Sequence, residues 1–165
     1  DTSLPDAGFV YLPGGYPELY LAALSANRQM LQSIRRYVES GGKLLAECGG
    51  MMYLCDEIRD KNGDVYPMAG VLHQSATMEN MKLRLGYRTL LYNETRLKGH
   101  EFHYSRLVEQ QNPLPSCAVA YTAKGVETDT PLYHYKNVWA GYTHLYWADP
   151  VGNEWFTKFV IDGNT

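Results

Sequence analysis

The chain has 165 residues, 45% of them apolar and 20% charged, enough for one compact domain with a hydrophobic core. A net charge of -3 argues against a nucleic-acid binder, which needs a basic face, and no apolar run reaches the roughly 20 residues that span a bilayer. The first residues are polar rather than a secretory leader, and Cys48, Cys55 and Cys117 are too few and too scattered for a disulfide framework or a zinc site, which points to reduced thiols in the cytoplasm.

Ala7 to Leu12 is a short apolar run stopped by Pro13-Gly14-Gly15, as expected of a strand buried on both faces. Tyr16-Pro17-Glu18 leads into a helical stretch. From Asn27 to Ser40 the apolar residues Met30, Leu31, Ile34, Tyr37 and Val38 recur at helical spacing, with Asn27 as N-cap and Gly41-Gly42 as stop. Lys43 to Ala46 reads as a second buried strand, and Met51 to Ile58 as a short helix. Strand, helix, strand, helix is the pattern of a parallel sheet with helices on its faces. Further on, Leu83 to Tyr92, Gly99 to Tyr104, Ala118 to Tyr121 and Val138 to Tyr142 read as strands. Gly152 to Ile161 reads as a closing helix with Trp155, Phe156, Phe159 and Val160 on one face. No internal repeat appears, and residues 1–165 read as a single domain. The chain opens without a methionine, a few residues before its first strand, and so reads as a piece of a longer protein.

The chemistry concentrates at Ala46-Glu47-Cys48-Gly49-Gly50. A thiol between a predicted strand and a predicted helix, flanked by small residues, fits a nucleophile elbow, in which the turn is too tight for large neighbours. Such a turn places the sulfur at a helix N-terminus, which favours a thiolate, and points the Gly49 N–H at a developing oxyanion. The plainer reading is a buried cysteine in a glycine-rich turn. Gly14-Gly15 could bring further N–H groups close to a ligand, or be an ordinary tight turn. A thiolate needs a base, and five histidines are available. His144 follows a predicted strand and would lie at a strand end, where open α/β sheets place their sites. His100 and His103 flank Glu101; alternation puts His100 and Phe102 on one face and Glu101 and His103 on the other. This spacing is not that of a zinc protease, and no metal site is expected. His73 and His134 read as surface residues. No glycine-rich phosphate loop is present, so this chain by itself is not expected to bind ATP.

Four segments, in order, carry a family resemblance: Leu12-Pro13-Gly14-Gly15-Tyr16-Pro17-Glu18, the run from Ala46 to Leu54, Gly99-His100-Glu101-Phe102-His103-Tyr104-Ser105, and Gly141-Tyr142-Thr143-His144-Leu145. Together they resemble the class I glutamine amidotransferase domain of the cobyrinic acid a,c-diamide synthases, within the cobyric acid synthase-like amidotransferases. The resemblance implies an α/β, three-layer fold: a mostly parallel sheet flanked by helices, flavodoxin-like, with added antiparallel strands. It implies Cys48 as nucleophile, His144 as general base, and Gly15 and Gly49 at the oxyanion hole. Class I members usually carry a glutamate two residues after the histidine; here that place holds Tyr146, which leaves Glu47 and Glu101 as candidate orienting groups, with His103 as a rim residue. The implied substrate is glutamine. The implied partner is the protein's own N-terminal synthetase domain, which would hold ATP, Mg2+ and most of the corrinoid. A cobyric acid synthase, a sister synthase acting on nickel-sirohydrochlorin or a cell-wall lipid, and a non-catalytic docking domain are the alternatives. The excised domain is expected to be a poor glutaminase without its partner.

Overall fold

The apolar run after Asp6 forms β1 (Phe9–Leu12). The computed structural model describes residues 1–162. A 3-10 turn at Pro17–Leu19 leads to α1 (Leu21–Ala26) and α2 (Arg28–Glu39). Asn27 caps α2: its side chain accepts the Met30 N–H at 3.3 Å, an arrangement that stabilises a helix by about 1 kcal/mol. Leu31, Ile34 and Val38 are the buried stripe of α2, and Gly41 ends it at φ +91°, a conformation that favours glycine.

β2 (Lys43–Glu47) runs into α3 (Gly49–Leu54). The helix expected over Met51 to Ile58 therefore starts two residues earlier and stops short. Its expected last turn is β3 (Glu57–Arg59), whose backbone is claimed on one side by β4 (Val65–Pro67) and on the other by β5 (Ser75–Thr77). Next come β6 (Arg84–Tyr92), β7 (Thr95–His103), β8 (Arg106–Leu107), β9 (Val119–Thr122) and β10 (Glu127–Thr128). The chain closes with β11 (Leu132–Tyr135), β12 (Val138–Gly141), β13 (His144–Leu145) and α4 (Pro150–Asp162).

The central sheet has the order β1-β2-β12-β11, with β1, β2 and β12 parallel and β11 antiparallel at the edge. A second sheet, β10-β9-β6-β7-β13, is wholly antiparallel, and a third, β4-β3-β5-β8, is mixed. The expectation of a mostly parallel sheet is thus corrected: it fits the central sheet, while antiparallel pairing dominates the rest. Strands of two to four residues such as β3, β5, β8 and β13 are too short to show an alternating pattern in sequence.

Alternation along β2 divides the core. Leu44 and Ala46 pack with Ile34 and Val38 of α2 and Met51 of α3 on one face. Leu45 packs with Trp139, with Trp155 and Phe159 of α4, and with Leu90 and Leu97 of the antiparallel sheet on the other. One face of the central sheet is therefore covered by helices, and the other by α4 together with a second sheet. A Cβ at Gly50 would overlap the carbonyl oxygen of Leu12, so α3 approaches the end of β1 as closely as glycine permits. Among the described residues no helix is long and apolar enough to cross a membrane.

Candidate active site

Cys48 occupies the sharp corner between β2 and α3, at φ +48° and ψ -108°. Few residues other than glycine adopt this backbone, which carries strain of roughly 1–3 kcal/mol. It is held from both sides: the Cys48 N–H donates to the Gly141 carbonyl at 2.8 Å, and the Cys48 carbonyl accepts the Met52 N–H at 3.0 Å. This is the strand–turn–helix geometry of an elbow that presents its side chain at the end of a sheet. Sγ lies 3.8 Å from the Phe102 carbonyl oxygen. Cys48 borders two adjoining clefts. One is lined by Gly14, Gly15, His100, Phe102 and His144; the other includes Glu18, Met52, His103 and Ser105. Tyr16 lines both.

His144 reaches the site on β13, which pairs with β7 so that His144 faces His100 across the ladder. The two imidazoles stack with centroids 5.0 Å apart. Gly14 lies against the Cε1 edge of the His144 ring, where a Cβ would overlap it. Nδ1 of His144 is 3.9 Å from Oε2 of Glu47. Burial, helped by His100 and His103, holds the His144 pKa below its ordinary value, so the ring rests neutral and can accept a proton.

The thiol behaves otherwise than the helix N-terminus suggests. Burial pushes Cys48 up to about 11; the Gly49 N–H pulls it down, but the carboxylates of Glu18, Glu101 and Glu47 add to the rise. α3 has only six residues, so its aligned peptide dipoles are few. The cleft is therefore lined at rest by a neutral thiol and a neutral imidazole. Alkylation of Cys48 by a small uncharged reagent is expected to accelerate steadily from about pH 7 to about pH 10, following the thiolate fraction. Mass spectrometry of the Cys48 peptide measures this; a plateau already reached below about pH 8 would mean that the thiol is instead acidic.

The other sequence candidates separate. Glu101 is fully buried, with Oε2 2.8 Å from Nη2 of Arg88 and 4.0 Å from Nε2 of His103. His103 shares its Nδ1 proton with the Ser105 carbonyl at 2.9 Å and stacks on Tyr142. Burial holds its pKa down. His100 and Phe102 occupy the opposite, exposed side of β7, as alternation requires. Of the two candidate carboxylates, Glu47 is the one beside His144, while Glu101 serves Arg88 and His103. Gly49 brings its N–H against the Cys48 sulfur, and Gly15 lines both clefts. His73 and His134 are exposed, the latter stacked on Trp139. Cys55 is buried at the end of α3, and Cys117 lies just before β9 rather than in a strand. Among the described residues no group of three or more His, Cys, Asp or Glu could hold a metal ion.

Sequence reasoning passed over Glu18. It belongs to the Leu12–Glu18 segment but was read only as the lead into a helix. It lines the cleft beside Cys48, and burial raises its pKa. A carboxylate three residues after the Pro13-Gly14-Gly15 turn was the available signal.

Residues 1–151 match the family model described as the CobB/CobQ-like glutamine amidotransferase domain. The chain is 38% identical over 151 residues to the hydrogenobyrinate a,c-diamide synthase of Pseudomonas aeruginosa, covering 88% of this chain and 33% of that protein. It is 34% identical over 156 residues to the cobyrinate a,c-diamide synthase of Salmonella typhimurium, covering 90% of this chain and 34% of that protein. The chain thus spans about a third of the length of these curated relatives. Among solved structures it is similar to a glutamine amidotransferase, with TM-score 0.59 and 18% identity over 93% of this chain and 79% of the other. It is also similar to PurLQS of Thermotoga maritima, with TM-score 0.63 and 15% identity over 98% and 82% of the two chains. At those identities the likeness to solved structures is one of fold.

Proposed function

The chain belongs to the CobB/CobQ-like glutamine amidotransferase domain family, and from that membership we propose that it hydrolyses glutamine with Cys48 and His144 and supplies the ammonia to a cobyrinic acid a,c-diamide synthase. The observation that carries the reading is the position of Cys48 at a strained strand–helix corner, sharing one cleft with a neutral His144.

The steps follow from that pair. Glutamine enters with its side-chain amide over Sγ. As the sulfur attacks the amide carbon, the thiol proton passes to His144, which removes the need for a preformed thiolate. The carbonyl oxygen becomes an oxyanion, for which the N–H groups of Gly49 and Gly15 are the proposed donors. His144 then gives its proton to the departing nitrogen, releasing ammonia and leaving a glutamyl thioester on Cys48. Water, deprotonated by His144, cleaves the thioester to glutamate and restores the thiol. The ammonia would then attack the a and c carboxylates of cobyrinic acid after ATP activates them. With no phosphate-cradling glycine loop in this sequence, ATP, Mg2+ and the corrinoid are assigned to the two-thirds of the synthase outside this chain.

The test is ammonia and glutamate release from glutamine, measured for the chain alone and after addition of the ATP-binding portion with ATP, Mg2+ and a corrinoid carboxylate. Weak release alone and strong release on coupling are expected. The glycines at Gly14-Gly15 and Gly49-Gly50 allow an oxyanion donor to be misaligned until the partner engages, and one such donor accounts for roughly 100- to 1,000-fold in rate. No release under either condition would remove the catalytic reading and favour a docking role.

A further inference from the structure

We infer that Glu47 is the positioning carboxylate of this site, that it orients His144 and balances the charge the imidazole gains on taking a proton, and that Tyr11 fixes Glu47 for this task. The inference rests on the reading of His144 as the base.

Class I amidotransferases are expected to carry such a carboxylate two residues after the histidine, yet that place holds Tyr146, which is 60% exposed. Glu47 approaches from a different direction. It is the last residue of β2, only 3% exposed, and is followed directly by Cys48. Its Oε1 accepts the N–H of Leu145 at 3.0 Å, gripping the backbone next to His144. Its Oε2 accepts the Tyr11 hydroxyl at 2.6 Å and lies 3.9 Å from Nδ1 of His144. The His144 ring is confined by Gly14 at its Cε1 edge and by His100 stacked on one face. A carboxylate facing Nδ1 favours the tautomer with the proton there, leaving Nε2 to exchange protons with thiol and ammonia.

The arrangement joins three segments. Tyr11 is on β1, which runs on into Gly14-Gly15; Glu47 is on β2, which runs into Cys48; His144 and Leu145 are β13. One carboxylate therefore ties together the chain ends that present the proposed oxyanion donor, the thiol and the base. Burial pushes the Glu47 pKa up, and its two donors oppose that by bonding the ionised form. Burial and Glu47 hold the Tyr11 hydroxyl well above the usual phenol range, so it stays a donor. The other titratable groups around the imidazole are His100 and His103 on β7, and Cys48 itself.

A purely structural Glu47 would only fasten β2 to β13, and the experiment separates the two roles. Glu47→Gln, Tyr11→Phe and His144→Ala are compared with the parent in the coupled glutaminase assay, with folding followed by circular dichroism. Glutamine keeps the shape and an acceptor for the Leu145 N–H but loses the charge. Glu47→Gln is expected to lower kcat about 100-fold with KM for glutamine little changed. It should also move the acid limb of kcat to lower pH, since removing a nearby negative charge lowers an imidazole pKa. Tyr11→Phe should lower kcat several-fold in the same sense. A folded Glu47→Gln with unchanged kcat and acid limb, alongside an inactive His144→Ala, overturns the inference and leaves the Cys48–His144 reading standing. Normal turnover by His144→Ala instead overturns that reading, and the inference with it. If Glu47→Gln does not fold, Tyr11→Phe decides, and an unchanged kcat and acid limb there overturns the inference.

Discussion

Replacement of Cys48 by alanine is expected to reduce glutamine hydrolysis to background, a loss on the order of 10⁶-fold if the sulfur is the covalent nucleophile. The fold should survive. Alanine removes only Sγ, which lies 3.8 Å from the Phe102 carbonyl and against the Gly49 N–H, and the backbone at φ +48° is no more strained for alanine than for cysteine. A glutamine analogue bearing a diazo-ketone should label Cys48 and neither other thiol. The selectivity would come from binding over Sγ rather than from an acidic resting thiol. Burial pushes Cys117 up to about 11, as it does Cys48, and pushes Cys55 higher still. Cys55 is wholly buried, with its thiol directed at the Met51 carbonyl, and Cys117 points at the Leu132 carbonyl, away from the cleft. Mass spectrometry that finds the label on Cys55 or Cys117, or an alanine variant that still turns over glutamine, would remove Cys48 from the mechanism.

His144→Ala is expected to lower kcat by roughly 100- to 10,000-fold, the range in which a general acid–base group contributes. It acts twice in the proposed reaction, taking the thiol proton and protonating the departing nitrogen, so no single step should escape the loss. Circular dichroism should show an intact fold. The side chain is partly exposed, and β13 is held by backbone pairing to β7 and by the Glu47–Leu145 hydrogen bond, neither of which needs the imidazole. The measurement is steady-state glutamate formation under coupled conditions. Near-normal turnover would transfer the role to a neighbouring histidine. His100 would be first, because it stacks on His144 and lines the same cleft; His103 is tied to Ser105 and Tyr142.

Some elements were legible because their signals are local. The α2 stripe of Leu31, Ile34 and Val38 follows from spacing, its start from Asn27 and its end from Gly41. The corner at Cys48 follows from small residues placed where a strand must turn at once into a helix. The alternation of His100, Glu101, Phe102 and His103 follows from the two-residue period of any strand. The short strands were not legible. Glu57 to Arg59 continues a helical pattern from Met51, and only the pairing with β4 and β5 makes it a strand. In the antiparallel sheet β6, β7 and β9 were legible, while β10 and β13, of two residues each, were not.

The family, the cysteine at the turn and the histidine at a strand end were legible from residue type and order within a few positions. The sequence by itself left the partner carboxylate open between Glu47 and Glu101, both acidic residues beside a motif. The tertiary structure decided which of them stands next to His144, because that depends on the register of β13 against β7 and on β2 lying beside β12. The Leu145 N–H that Glu47 binds is 98 residues away in the chain, a separation over which spacing carries no information. The structure also decided the resting protonation of Cys48. A helix N-terminus, visible in sequence, lowers a thiol pKa; burial among three carboxylates, visible only in the fold, raises it, and here burial is the larger of the two effects.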